Sequence, residues 1–361
     1  MEGLGMKLGS SPKIILLGNL GYIGPVVASA LRKSYPNANL IGLDPGFFSD
    51  RLTTHDAWPE RVLNQQIIAD IRDIDASLFQ GADAVVALAA ISNDPMGARF
   101  ETVTTEINQD AIVQAAHLAA EAGVSRFVFA SSCSVYGFAE GDARSEDAPL
   151  NPLTAYARSK IGTERALEAM DTPGMLRTAL RFATACGPSP RLRLDLVLND
   201  FAACAITAGK ITVLSDGSPW RPLIDVRDMA RAIDWAITRT EDAGGQWLAV
   251  NAGSDVWNYQ IRDLAQAVAE AVPGASYSIN PDASPDSRSY RVDFSLYKQL
   301  APAHQPVQTL EGTIRDLLQL LNDINFGDAD FRSSPLMRLK ALEEHIRNGT
   351  LSEDLRWRMP Q

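Results

Sequence analysis

The chain has 361 residues, 46% of them apolar and 21% charged, which excludes a disordered polymer and leaves enough apolar mass for a large core. Its 44 acidic residues outnumber 33 basic ones, for a formal charge of −11 with no local basic block, which argues against a broad nucleic-acid surface but not against an anionic small substrate. The longest apolar runs, such as Ala84–Ile91, are far too short to span a membrane, and no apolar signal core precedes the first strand; with Cys133, Cys186 and Cys204 outside metal-ligand spacing, a cytoplasmic protein with reduced thiols and no metal is expected.

The length is about twice that of a usual domain, so either two domains or one α/β core with a sizeable elaboration is expected. From Lys13, "KIILLG" reads as a strand, followed by a helix from about Pro25 to Ser34 and a second strand, "NLIGLD". A further apolar run ends at Asp70, then come "ADAVVALAA", a helix from about Val103 to Ala122, the strand "RFVFAS", a helix to about Met170, and "TALRFA". These strands are continuous apolar runs rather than alternating ones, and they alternate with helices; both features predict a parallel sheet covered on its two faces. From Pro188 the chain becomes rich in Pro, Gly, Ser and Arg, with strand-like "PLIDV" and "WLAVNAG" returning between loops. The expected division is residues 12–183 as a first domain with returning segments at about 222–253, and residues 184–221 and 254–330 as a second lobe. Residues 331–361 form an amphipathic helix and tail whose packing partner the residues do not decide.

The turn after the first strand, "LLGNLGYIGP", carries Gly18, Gly21 and Gly24 and opens the first helix. A tight strand-to-helix turn favours residues without a Cβ, and the helix N-terminus offers unpaired N–H groups to a phosphate. Asp44 ends the second strand, twenty residues beyond Gly24, where a carboxylate accepts from a ribose diol and repels a 2′-phosphate, so the cofactor expected is NAD rather than NADP. Asp70 is placed to reach the adenine or to sit in a plain surface turn.

Tyr156 and Lys160 stand four apart on a helix and so share a face, and Ser132 lies just past a strand end. A phenol near pKa 10 is a poor base at neutral pH; an adjacent ammonium favours the phenolate, and the Ser132 hydroxyl can donate to the same oxygen. The three make a proton relay suited to exchange with a substrate alcohol beside a nicotinamide.

Taken in this order, "GNLGYIG", "LAA" at 88–90, Asn108, "SSCSVYG", "YARSK", "RFATACGP" and "WRPLIDVRDMARA" resemble the extended short-chain dehydrogenase/reductase family, and within it the nucleotide-sugar epimerases and dehydratases, over roughly Lys13 to Asp293. The resemblance implies an α/β fold, a Rossmann-type doubly wound parallel sheet with a smaller C-terminal substrate-binding lobe. It also implies tightly held NAD and catalytic roles for Ser132, Tyr156 and Lys160, with Lys160 also on the nicotinamide ribose, Asn108 supporting the cofactor side and Leu88 lining its cleft. For a nucleoside-diphosphate sugar it implies Arg221 on the pyrophosphate, Arg288 and Arg191 or Arg193 as further candidates, and Ser134 near the sugar. The family's 4,6-dehydratases carry Asp-Glu directly after the catalytic hydroxyl; Cys133 and Ser134 stand there instead, which disfavours dehydration and leaves Cys133 as a buried small residue or a second acid/base group. The reading is an NAD-dependent nucleotide-sugar epimerase acting through a transient keto sugar at C4. The alternatives are an NDP-sugar dehydrogenase or ketoreductase using the same residues, or a non-catalytic NAD-binding scaffold. A homodimer is expected, because relatives pair the helices that here carry Ile107, Ala111, Ala115 and Leu118.

Overall fold

The structure is a computed structural model that describes residues 8–54, 58–139, 141–280, 283 and 289–358. The twelve strands among the described residues are β1 (Lys13–Leu17), β2 (Asn39–Asp44), β3 (Gln65–Ile68), β4 (Ala84–Ala87), β5 (Arg126–Ser132), β6 (Leu176–Phe182), β7 (Thr184–Cys186), β8 (Lys210–Val213), β9 (Trp220–Asp225), β10 (Trp247–Ala252), β11 (Asn258–Gln260) and β12 (Ser276–Ile279). Seven of them form one sheet in the order β10-β6-β5-β4-β1-β2-β3, with every neighbouring pair parallel. This is a Rossmann-type doubly wound sheet whose strand order reverses between β1 and β4. Ligands of such sheets bind outside the carboxyl ends of the strands at that reversal, and here those ends lead into Gly18 and Leu88.

The strands are apolar throughout because both faces are covered. Ile14, Leu16, Val86, Val128 and Leu180 face one core with Val27 and Leu31 of the helix Gly24–Ser34 and Ile233 of the helix Val226–Thr238. Ile15, Leu17, Val85, Phe127 and Phe129 face a second core with Ala111, Ile112 and Ala115 of the helix Ala111–Glu121 and Leu167 of the helix Ala155–Ala169. The expected helix from about Val103 is found starting at Glu101, and it passes through a π-turn at Glu106–Asp110 before continuing to Glu121. Such turns recur at functional sites, and this one presents Asn108.

Outside the main sheet, β7 and β9 pair in parallel and β11 joins β9 antiparallel, while β12 pairs with β8. The "PLIDV" run therefore belongs to the small sheet, and "WLAVNAG" returns to the large one.

The C-terminal segment packs on the half of the sheet that carries β1 and β2. Leu342, Leu351 and Leu355 enter the second core. Trp357 donates its indole N–H to the Pro45 carbonyl at 2.5 Å and lies 5.8 Å from the Phe47 ring, while Arg356 pairs with Asp73 at 2.5 Å. The helix Arg338–Arg347 begins with a fully buried Arg338, whose guanidinium stacks 4.5 Å over Phe48 and donates to the Arg191 carbonyl at 2.8 Å. The tail thus grips the loop that follows Asp44 from behind.

Candidate active site

The glycine turn divides its three glycines by cause. Gly18 has φ +86°, and a Cβ there would lie 2.4 Å from the Ala89 backbone nitrogen; one on Gly24 would lie 2.1 Å from the Asn19 carbonyl oxygen. Those two are required by the fold itself. A Cβ on Gly21 would meet only the Gly18 carbonyl, at 3.7 Å, so the protein's own packing gives no reason for a glycine there. The helix Gly24–Ser34 has Ile23 at its N-cap, no side-chain cap and no acidic residue in its first turn, which leaves its N–H groups and positive dipole end for an anion. Tyr22 fixes the turn to the loop after β7: its hydroxyl donates to the Gly187 carbonyl at 2.6 Å, and Ser189 donates to the Tyr22 carbonyl at 2.6 Å.

Asp44 is 8% exposed and accepts from the Leu20 N–H at 2.9 Å and the Gly46 N–H at 2.7 Å. Burial pushes its carboxyl up to about 6, against the pull of those two donors and of Arg191. Leu88, Ala89 and Ala90, at the end of β4, are partly exposed along the cleft. A turn with a vacant flank at Gly21, an uncapped helix N-terminus and an aspartate at the end of β2 fit a dinucleotide: the turn would hold its pyrophosphate and Asp44 the adenosine ribose.

The run of hydroxyls at the end of β5 splits by direction. Ser131 turns inward and donates to Glu164, which also takes a bidentate ion pair from Arg181, 2.7 Å at the closer approach. Ser132 turns to the cleft and is hydrogen-bonded to Tyr156. Cys133 turns into the core, 1% exposed, its thiol donating to the Arg181 carbonyl at 3.0 Å, and burial pushes the thiol well up. The acid/base alternative for Cys133 is thereby corrected, because the group is protonated, buried and aimed away from the cleft. The Ser134 hydroxyl is buried and has no hydrogen-bond partner among the described residues.

Tyr156 and Lys160 ride on a helix started by Thr154, whose hydroxyl accepts from the Ala157 N–H at 3.2 Å. Lys160 is 2% exposed; its ammonium donates to the Ala130 carbonyl at 2.7 Å and lies 4.6 Å from the Phe129 ring and 5.5 Å from the Tyr156 ring. Burial draws it down to about 7, opposed by Glu164 one turn on. Burial likewise pushes the Tyr156 phenol up to about 12, opposed first by the Ser132 hydrogen bond and then by the charge of Arg193. A ready-made phenolate is therefore not what the fold supplies. Tyr156 rests as a phenol, and the leading charge acting in favour of its anion is Arg193, held by Asp195 at 2.7 Å and donating to Ser92 at 2.8 Å.

Asn108 is wholly buried. Its side chain accepts from the Ile91 N–H at 2.7 Å and donates to the Ile91 carbonyl at 3.0 Å and to Ser159 at 3.1 Å. It ties the loop after β4 to the Tyr156 helix and supports the cleft without lining it. Asp70 has its carboxylate taken by Arg72, at 2.6 Å and 3.0 Å, so the expectation that it reaches adenine gives way to a turn-capping role. Arg191, expected as a candidate for the diphosphate, is fully buried near Asp44, paired with Glu60 at 2.5 Å and donating to the Ser49 carbonyl, so its guanidinium is engaged by the protein itself. Arg221, half-buried on β9, donates to the Trp220 carbonyl at 3.0 Å and lies 6.0 Å from the Tyr290 ring, and Tyr290 in turn feels Arg221, Asp94 and Tyr156. Arg288 lies outside the described residues. Glu164, Asp94 and Tyr290 were not legible in sequence, although Glu164 continues the four-residue spacing of Tyr156 and Lys160.

Residues 14–253 match the NAD dependent epimerase/dehydratase family. The chain belongs to that family, and NAD is its cofactor. It is 29% identical over 233 residues to an uncharacterized UDP-glucose epimerase of Bacillus subtilis (strain 168), an alignment covering 61% of this chain and 71% of the relative. It is 26% identical over 241 residues to a dTDP-glucose 4,6-dehydratase of Streptomyces griseus, covering 66% and 72%. Its fold is similar to that of a UDP-glucose-4-epimerase from Stenotrophomonas maltophila with bound NAD and formylated UDP-arabinopyranose, with a TM-score of 0.74, 22% identity, and coverage of 87% of this chain and 99% of that one. No helix among the described residues is long and apolar enough to cross a membrane.

Proposed function

We propose that this protein is a nucleotide-sugar epimerase that inverts C4 of a nucleoside-diphosphate hexose. Bound NAD supplies a hydride acceptor and, in the second half of the cycle, the donor. Tyr156 acts as its phenolate, reached by loss of the phenol proton to solvent and stabilised by the Ser132 hydrogen bond and the charges of Lys160 and Arg193; that oxygen takes the proton of the sugar 4-hydroxyl and later returns it. The Ser134 hydroxyl, buried without a partner among the described residues, suits a sugar oxygen, and Arg221 suits the pyrophosphate.

The observation that carries epimerisation over dehydration is the pair of residues after Ser132. Eliminating water requires an acid and a base on the sugar beyond the tyrosine. Cys133 is turned to the Arg181 carbonyl in the core, and Ser134 does not ionise. We also read the chain as a cytoplasmic homodimer paired through the helices Ala111–Glu121 and Ala155–Ala169, which flank an open groove of about 420 Å³ lined in part by Val113, His117 and Ala166. Light scattering at micromolar concentration checks this, and a monomer contradicts it.

The test of function is incubation with a panel of NDP-hexoses without added NAD, followed by chromatography and mass spectrometry. An isomer of unchanged mass supports the proposal. Turnover that needs external NAD or NADH and changes the mass by two hydrogens identifies a dehydrogenase or ketoreductase instead. A product lighter by one water identifies a dehydratase. Normal turnover by Tyr156→Phe removes the assigned chemistry.

A further inference from the structure

Beside the ribose carboxylate lies a cavity that the sugar chemistry does not use. It has a volume of about 480 Å³ and is lined by Leu20, Ser49, Glu60, Arg61, Gln66 and Arg191, among others. Leu20 donates its backbone N–H to Asp44, so the cavity opens next to the group expected to hold the adenosine ribose.

The cavity contains a buried arginine able to bind an anion, and that arginine is occupied. Arg191 is 0% exposed and gives both terminal nitrogens to Glu60, at 2.5 Å and 3.1 Å, with its remaining donors on the Ser49 carbonyl at 3.1 Å and 3.3 Å. Its backbone is fixed on both sides: Arg338 donates to its carbonyl, the Leu192 N–H donates to Thr53, and the Thr53 N–H donates to the Pro190 carbonyl. Glu60, by contrast, comes from a four-residue turn at Pro59–Val62 on the rim. At Asp44 the two charges act in opposite senses, Arg191 drawing its carboxyl down and Glu60 pushing it up.

We propose that Glu60 is a second determinant of cofactor choice, holding NADP out by occupying the Arg191 guanidinium that a 2′-phosphate would otherwise pair with. An arginine near the acidic position at the end of β2 is the usual means of accepting a 2′-phosphate, through a bidentate pair. Here the arginine is present but a carboxylate already fills the pair. A 2′-phosphate entering the cavity meets Asp44 and Glu60, with the Arg191 guanidinium already paired and only the exposed Arg61 at the lining to balance them. The inference rests on NAD as cofactor and is independent of which sugar reaction follows.

The test measures NAD and NADP affinities by calorimetry for Asp44→Asn, Asp44→Asn with Glu60→Gln, and that double variant with Arg191→Met. The expected result is NADP binding at least tenfold tighter in the double variant than in Asp44→Asn. NAD should bind the two within threefold, and adding Arg191→Met should cancel the gain. Equal NADP affinity in the first two proteins overturns the role of Glu60, and a gain that survives Arg191→Met overturns the role of Arg191. NAD binding in each protein reports that it has folded. Should any variant bind neither cofactor, Glu60→Gln alone is compared with wild type, and an unchanged ratio of NADP to NAD affinity overturns the proposal.

Discussion

Gly21→Ala separates what the fold needs from what the cofactor needs. The new methyl group faces open space, with the Gly18 carbonyl at 3.7 Å as its nearest neighbour, and Gly21 is not among the glycines with positive φ. The cofactor-free variant should therefore keep its stability or gain about 0.4–1 kcal/mol from a less flexible unfolded chain. Gly24→Ala forces a Cβ to 2.1 Å from the Asn19 carbonyl oxygen and should lose roughly 1–3 kcal/mol or more. If the open flank of Gly21 is where the pyrophosphate approaches, the methyl displaces at least one backbone N–H bond to a charged oxygen. That costs about 1.5–3 kcal/mol, or roughly 10- to 150-fold in NAD affinity. Urea unfolding and calorimetric NAD titration on the two variants give both numbers. A Gly21→Ala protein that binds NAD like wild type refutes the placement of the pyrophosphate, and one that unfolds like Gly24→Ala refutes the account of the turn.

Tyr156→Phe should lower kcat by roughly 10²–10⁴ with little change in melting temperature, read by steady-state kinetics and calorimetry. Lys160 is held at about 7 against 10.5 when unfolded, so folding loses stability as pH falls from 10.5 toward 7. Lys160→Met should abolish turnover yet stabilise the cofactor-free protein at pH 7 by up to about 4 kcal/mol, a gain that vanishes near pH 10.5 in urea unfolding. Asp44 has the opposite sign: raised to about 6 from 3.8, its favourable contribution is complete below about pH 4 and lost as pH rises through 6. Because a ribose diol donates to the carboxylate, NAD affinity should fall as pH drops through about 6, and a flat titration from pH 5 to 8 contradicts this. Trp357→Ala removes the indole from Pro45 and Phe47 and should speed NAD loss during gel filtration while costing about 1–2 kcal/mol, since the ring is already partly exposed.

The sheet was legible because continuous apolar strands alternate with helices, a pattern only a two-sided parallel sheet satisfies. Gly18, Asp44, Ser132, Tyr156 and Lys160 stand out in the sequence as candidates because each sits at a fixed offset from a strand or helix end. Arg191 was misread because its partner, Glu60, is 131 residues away in sequence and meets it only through the fold. Of the two roles the sequence left open for Asp70, the structure shows the turn, because Arg72, two residues on, captures its carboxylate on a short helical turn that hydropathy does not show. The protonation state of the Tyr156–Lys160 pair was out of reach of sequence for a similar reason, since spacing gives proximity while burial sets charge. The docking of the C-terminal tail depends on Trp357 and Arg356, neither of which carries a periodic signal.

The most direct measurement uses an NDP-hexose deuterated at C4, turned over without added NAD in ordinary water, with the product examined by NMR and mass spectrometry. The proposed chemistry predicts a C4 epimer of full mass with the deuterium still on C4, because the hydrogen removed from that carbon is returned to its opposite face within one protein molecule. Deuterium lost to solvent, or a product lighter by one water, contradicts it.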